Sequence, residues 1–250
     1  VAQIALNVKT AALTNITLGL EAAEIAIGRR DHLPGMVCIS GHSGLGKSMA
    51  ATYVAQQYRA YYVEVRRTWN RNAFLESILL QMGIPFDKLS MTRKLSQICE
   101  QLGHSGRPLI VDEFDNIVDR KSGADEFVEL VRDIVDGSQG PVIIIGEERL
   151  PHKLTRYERF HNRILDWKQA VPADLGDCRI LAQFYYPELE IREDLLSKIQ
   201  LLTKGVARRI CVNLDDVARE AAELGITSIG LAELGSRLFH TGEPPKARPL

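Results

Sequence analysis

A parallel α/β sheet followed by a small helical lid is the fold class this sequence predicts, and three observations predict it. A glycine-rich stretch, Gly41-His42-Ser43-Gly44-Leu45-Gly46-Lys47-Ser48, lies between a short apolar run and a helical pattern. A second apolar run, Leu109-Ile110-Val111, ends in two acids, Asp112-Glu113. Strand-like and helix-like segments alternate as far as Pro172, after which only helical patterns follow. Alternation of this kind calls for a parallel sheet covered on both faces.

The elements follow in order. Asn15 is expected to cap a helix running to about Gly28, with Leu20, Ala23 and Ile27 on one face. Met36–Ser40 reads as a buried strand and Met49–Tyr58 as the helix after the glycine-rich loop. Ala60–Val65 is a second strand. Phe74, Leu75, Ile78, Leu79 and Met82 make a helix stripe stopped by Gly83, with Pro85 beyond it. Leu95, Ile98 and Leu102 predict a helix ending at Gly103, and Phe127, Leu130, Val131 and Ile134 one closed by Gly137. Val142–Ile145 and Leu165–Val171 are the remaining strands. Beyond the boundary near 172, residues 174–185, 191–203, 206–224 and 228–239 all read as helices, with no strand between them. The expected organisation is an arm over 1–13, an α/β nucleotide-binding domain over 14–172, a helical lid over 173–240, and a flexible, proline-bearing tail over 241–250.

The glycine-rich stretch fits the phosphate-binding pattern G-x-x-x-x-G-K-[ST] at every fixed position. A strand, a glycine turn and a helix start gather backbone N–H groups around one anion, and glycine lets the backbone approach it. Gly41 to Ser48, with Met49 after them, are therefore expected to line ATP. Lys47 is expected on the β- and γ-phosphates and Ser48 on Mg²⁺. His42 and Leu45 fill free positions of the pattern. At the end of the second run, Asp112 is expected in the Mg²⁺ shell, and Glu113 as the base that orients and deprotonates the attacking water.

Composition bounds the remainder. The 250 residues are 45% hydrophobic and 25% charged, as in ordinary globular proteins, and carry a net charge of −1. No global field draws this chain to nucleic acid, so any basic surface is local. Cys38, Cys99, Cys178 and Cys211 are far apart without metal-ligand spacing and read as reduced packing residues of a cytoplasmic protein. No apolar run approaches a membrane span, and no signal peptide is visible.

The order of phosphate loop, Asp-Glu strand, polar strand end, arginine-bearing segment and helical lid resembles an AAA+ ATPase. Lys204-Gly205-Val206-Ala207-Arg208 resembles the lid motif whose arginine reaches the γ-phosphate, which falls on Arg208. Arg159-Phe160-His161-Asn162-Arg163-Ile164 resembles the arginine-finger segment, with Arg163 the first choice and Arg159 the second. More closely, residues 14–240 are similar to the phage Mu B transposition protein family. The turn Glu113-Phe114-Asp115-Asn116, the stretch from Ile145-Gly146-Glu147 to Arg163, and K-G-x-x-R in a small lid carry that likeness. One departure is Glu147: AAA+ proteins usually place Asn, Thr or Ser at that strand end to position the water. Glu147 is then the alternative base.

The resemblance implies a protein that binds duplex DNA without sequence preference and assembles on it as a ring or helical filament of identical copies. It would then deliver target DNA to a transposase. Between residues 59 and 72, Arg59, Arg66, Arg67 and Arg71 face only Glu64, a net charge of +3. Arg66, Arg67 and Arg71 are the expected phosphate contacts, Arg120 and Lys121 a second basic point, and Trp69 a core residue. Two other readings stand beside this one. One is an AAA+ helicase loader or replication initiator. The other is a signalling or scaffold NTPase that uses ATP as a switch and binds no DNA.

Overall fold

A computed structural model describes residues 13–235 and 239–243. The expected arm and most of the expected tail fall outside them. The described residues form two compact units. One comprises Ile16–Ser43 and Lys47–Ala170; the other takes in the chain up to Asn15, the short piece Gly44–Gly46, and everything from Val171 onward.

The first unit contains, in chain order, α1 (Thr14–Gly28) from Ile16 onward, β1 (Met36–Ser40), α2 (Lys47–Gln57), β2 (Tyr61–Glu64), α3 (Arg71–Met82), α4 (Met91–Ser105), β3 (Leu109–Asp112), α5 (Asp115–Val118), α6 (Ala124–Ser138), β4 (Val142–Gly146), α7 (Leu150–Leu154), α8 (Glu158–His161) and β5 (Ile164–Gln169). The five strands pair in parallel in the order β2-β3-β4-β1-β5. β1, β3 and β4 are buried at every position, which is why they read as unbroken apolar runs.

Successive strand residues point to opposite faces. Met36, Cys38, Val63, Val111 and Ile144 pack against Phe74, Ile78, Ile98, Leu102, Phe127 and Ile134 from α3, α4 and α6. Phe74 and Phe127 meet edge-on with ring centres 5.3 Å apart, a contact worth about 0.5–1.5 kcal/mol beyond its buried area. Val37, Ile39, Ile110, Ile143 and Ile145 face the other way, onto Ala22, Ala23 and Ala26 of α1 and Ala51 and Val54 of α2. That face is built from small residues because the helices come close. A Cβ on Gly19 would lie 3.2 Å from the Cβ of Ala50.

Several expectations need correction. α1 turns Ala22, Ala23 and Ala26 inward and leaves Ile27 39% exposed, so the larger side chains misplace its face. Asn15 lies inside α1 and not at its cap. α4 runs past Gly103 to Ser105, and its left-handed cap is Gly106 at φ 61°. Gly137 likewise lies inside α6, which Gln139 caps. Gly83 does stop α3, donating its N–H to the carbonyls of Leu79 and Leu80. All four cysteines are free thiols, and burial raises the pKa of each.

The second unit contains α9 (Leu175–Tyr185), β6 (Glu190–Ile191), α10 (Glu193–Thr203), α11 (Ala207–Leu224), β7 (Ser228–Ile229) and α12 (Leu231–Leu234). A reciprocal capping box of Asp174 and Asp177 starts α9. α11 buries Ile210, Leu214, Val217 and Ala221 at helical spacing. Two findings depart from the all-helical expectation. β6 and β7 form a parallel two-stranded ladder, too short for any periodicity to reveal. The last expected helix shrinks to Leu231–Leu234, and residues 236–238 of it lie outside the described residues. Among the described residues no helix is long and apolar enough to cross a membrane.

Candidate nucleotide site

The site grows from the C-terminal ends of β1, β3 and β4, where ligands of open parallel sheets bind. Gly41 leaves β1 at φ 157°, and a Cβ there would lie 2.8 Å from the Cβ of Ala170. Only glycine fits that turn. α2 opens at Lys47 with no acidic residue in its first turn, so its free N–H groups and dipole face an anion without competition. The Lys47 ammonium donates to the carbonyls of Gly41 at 2.6 Å and His42 at 2.9 Å. Burial lowers its pKa, while the carboxylates of Asp112 and Glu113 pull the other way. Ser43 and Ser48 are exposed, and Met49 follows half-buried on α2.

Gly44, Leu45 and Gly46 belong to the second unit. Gly44 and Gly46 hold φ of 86° and 91°, open to glycine alone at little cost. The Gly44 carbonyl accepts the backbone N–H of Arg208 at 3.1 Å, and the Leu45 carbonyl accepts the Asn15 amide at 2.8 Å. Asn15 also exchanges hydrogen bonds with the backbone of Val171. Its buried amide is therefore a brace for the loop. The Arg208 side chain is exposed.

Asp112 ends β3 only 2% exposed. One of its oxygens accepts the Glu113 N–H at 2.8 Å and the other the Tyr62 hydroxyl at 2.9 Å. Glu113 takes φ 55°, a left-handed conformation that costs a residue with a side chain about 1–3 kcal/mol. Strain of this size persists only where surrounding contacts enforce it. Partial burial, then the Asp112 carboxylate, push the Glu113 carboxyl above the ordinary glutamate value. That shift brings a base toward neutral pH, where proton transfer is most effective.

β4 lies between β1 and β3, with Ser40 opposite Gly146 and Val111 opposite Ile144. The residue leaving β4 therefore emerges between the glycine-rich loop and the acid pair. That residue is Glu147, as the sequence register places it. Its N–H donates to Asp115 at 2.6 Å. A Cβ on Gly146 would lie 2.3 Å from that same carboxylate oxygen, so the carboxylate reaches its place only because residue 146 is glycine. Lys153 neutralises Asp115 at 2.7 Å and spans to Asp119 at 2.7 Å. Asp115 and Lys153 had no assigned role in the sequence. The acid two positions after Glu113 was the available signal.

The remaining candidates separate. Arg163 is bound by Asp136 of α6, at 2.6 Å through Nε and 3.2 Å through Nη2. Arg159, on α8, is exposed and makes no ion pair among the described residues. Arg66, Arg67 and Arg71 are likewise exposed, and none has a carboxylate at ion-pair distance among the described residues. Trp69 packs on the sheet core as expected. Arg120 differs from expectation. Its guanidinium donates to the carbonyls of Trp69 at 2.7 Å and Arg67 at 3.4 Å and lies over the Phe127 ring, so it braces the basic segment from beneath. Lys121 beside it is exposed.

The residues fit a magnesium nucleotide. Among the described residues no group of three or more His, Cys, Asp and Glu could hold a metal alone. The Ser48 hydroxyl and the Asp112 carboxylate are hard oxygen donors. Such a partial set suits Mg²⁺, which takes substrate phosphates and water for its other positions.

The AAA domain family matches this sequence over residues 30–154, half of the chain. The chain belongs to the AAA domain family. No curated protein matches it. Among solved structures, the Aeropyrum pernix ORC2 protein, determined as ADPNP-ADP complexes, is similar with a TM-score of 0.65 at 18% identity, over 86% of this chain and 65% of that one. The Aeropyrum pernix ORC1 protein in complex with DNA has a TM-score of 0.62 at 17% identity, over 93% and 65%. Domain III of the Thermotoga maritima replication initiation protein DnaA has 0.57 at 20%, over 88% of both chains. Identities this low establish the shared fold, a five-stranded AAA+ nucleotide-binding core. The chain spans 65% of the length of the two Aeropyrum proteins. The matched family is the AAA-type ATPase domain as a whole, a coarser statement than the Mu B resemblance.

Proposed function

We propose that this AAA domain is a Mg²⁺-dependent ATPase that binds duplex DNA without sequence preference and acts as an assembly of copies, in the manner of a replication initiator or helicase loader. The observation that carries the hydrolytic part is Glu113, turned out of β3 beside buried Asp112, on the strand next to the one Glu147 ends. Binding nucleotide needs Lys47, Ser48 and Asp112; a Glu113 held at φ 55° with its carboxyl pKa raised beside Asp112 supports deprotonation of a water as well.

In this reading Lys47 exchanges its two loop carbonyls for phosphate oxygens. Ser48 and Asp112 hold the metal, which when bound neutralises charge developing on the phosphates. Glu113 takes the proton of the attacking water. Arg163 leaves Asp136 to act as the finger in a neighbouring copy's site, with Arg159 the second candidate, and Arg208 senses the nucleotide from the lid. The guanidiniums of Arg66, Arg67 and Arg71, exposed and without an ion pair among the described residues, take DNA phosphates, which gives affinity without base readout. Likeness to an ORC1 protein solved in complex with DNA and to a replication initiation protein supports the initiator or loader class.

A second reading, selection of target DNA for a transposase, keeps specific support. Glu113-Phe114-Asp115-Asn116 and the K-G-x-x-R segment at Lys204–Arg208 carry the resemblance to the Mu B family. Both readings require DNA and part on the protein partner and on the form of the assembly. The test is hydrolysis with and without random-sequence duplex, alongside electron microscopy with DNA and a non-hydrolysable ATP analogue. DNA should raise the rate. Continuous filaments on duplex would favour the transposition reading, and discrete rings or short arcs the initiator. Arg66→Ala with Arg67→Ala should weaken all duplexes alike and reduce the salt slope by about 0.9 per lost phosphate contact. A rate indifferent to DNA would leave only a nucleotide switch.

A further inference from the structure

The basic segment after β2 and the acid pair after β3 are tied together at successive points. The Val65 N–H donates to the Asp112 carbonyl at 2.9 Å. The Val65 carbonyl in turn accepts the Asn116 side-chain amide at 2.8 Å. The Asn116 backbone N–H donates to the Glu113 carbonyl at 2.9 Å. Asn116 is thus bonded both to the residue preceding Arg66 and to Glu113 itself. Further along, Arg120 holds the carbonyls of Arg67 and Trp69, and Trp69 donates back to the Arg66 carbonyl at 3.0 Å. Below them the Tyr62 hydroxyl holds an Asp112 oxygen.

We propose that Asn116 and Arg120 are positioning residues that transmit DNA occupancy of the Arg66–Arg71 segment to Glu113. The inference rests on the DNA-binding reading and deepens it. Three features give the link its physical content. The cations of the segment are exposed and have no ion pair among the described residues, so a polyanion changes their energy most. Its backbone, by contrast, is gripped by side chains of the Asp112–Arg120 stretch. And Glu113, at the far end, holds a strained φ of 55° that surrounding contacts must maintain. A phosphate backbone pulling on Arg66 and Arg67 loads the Val65 and Arg67 carbonyls. Asn116 and Arg120 pass that load to the turn carrying Glu113. The coupling is an equilibrium between two placements of one turn, and DNA shifts it by its differential affinity for them.

The experiment measures, for the full chain, the ratio of ATPase rate with duplex DNA to the rate without it. DNA affinity and the thermal midpoint are measured in parallel. General damage to folding or catalysis does not move this ratio. Asn116→Ala removes the amide that links Val65. Arg120→Lys keeps the charge but is shorter and loses the guanidinium whose Nη1 donates to both carbonyls. Both should bind DNA as the parent does, while the ratio falls about 5-fold or more for Asn116→Ala and by less for Arg120→Lys. Should Asn116→Ala lose its cooperative melting, Asn116→Asp, which keeps the volume and removes the donor, takes its place. Adding Asn116→Ala to Arg66→Ala/Arg67→Ala should cost no further stimulation, since both act along one line. A parental ratio in both single variants with DNA bound overturns the proposal, as does an equal loss of both rates. A parent that does not bind DNA is seen before any variant is made and overturns the DNA reading itself.

Discussion

Lys47 and Arg163 are both cations held by partners within the chain, and they are held in opposite ways. Lys47 leans on two neutral carbonyls five and six residues back in its own loop. Arg163 pairs with a full carboxylate, Asp136, 27 residues away on another helix. Neutral carbonyls are readily exchanged for phosphate oxygens, so the loop stays poised for its ligand. A carboxylate must be displaced, so Arg163 reaches a neighbour only by giving up an ion pair. The pair is partly open, at 42% and 37% side-chain exposure, and such pairs are worth about 0–1 kcal/mol. In the proposed reading, a pair of this strength is weak enough for assembly to open it.

Breaking the first member should have the largest effect. Lys47→Ala removes the cation over the phosphates and should abolish ATP binding, as read by calorimetry or a fluorescent analogue. Unchanged affinity would move the nucleotide elsewhere. Next, Glu113→Gln keeps the shape of the site and removes the base. Hydrolysis should fall about 10²–10⁴-fold with ATP affinity nearly intact. The parent's rate should fall on the acid side at a pH above that of an ordinary glutamate, because the Glu113 pKa is raised and only the ionised form accepts the proton. A parental turnover in Glu113→Gln would make Glu147 the base.

The smallest effect sharpens the second member. Asp136→Asn loosens Arg163 and should raise the rate of the assembled protein no more than about 5-fold, the value of an exposed pair. Arg163→Ala should leave nucleotide binding of the single copy alone and silence the assembly. Mixed with Lys47→Ala it should regain some hydrolysis, where an intact Arg163 meets an intact Lys47 across an interface. No recovery at any ratio, with both variants assembling, would leave the Asp136 pair a structural contact and pass the finger to Arg159.

The same contrast separates what was legible in the chain from what was not. The loop could be read because its chemistry is local. Gly41 and Lys47 act through the backbone of the next turn and the helix it starts, all within eight residues. The buried strands could be read because burial on both faces demands apolar runs. Asp112 and Glu113 could be read because a strand that ends in acids ends at the ligand side of such a sheet. Local patterns misled where packing outranked them. Large apolar residues suggested the wrong face for α1, because α1 meets the sheet and α2 closely enough that its most buried positions are Ala22, Ala23 and Ala26. Gly103 and Gly137 looked like helix stops, yet tertiary contacts carried both helices through them.

By itself, then, the sequence determined the strand–loop–helix of the glycine-rich stretch, the strand that ends in Asp112 and Glu113, and the mainly helical character of the chain beyond Pro172. Each follows from backbone rules that act over a few residues. Tertiary structure alone decided the strand order that puts Glu147 between loop and acids, the Asp115–Lys153 clamp behind it, the Asp136 latch on Arg163, and the conversion of Arg120 from a free cation into a brace. Each of these joins residues from about 25 to more than about 100 positions apart, and a partner at that distance is chosen by the packing of the sheet and its helices, which no local spacing encodes.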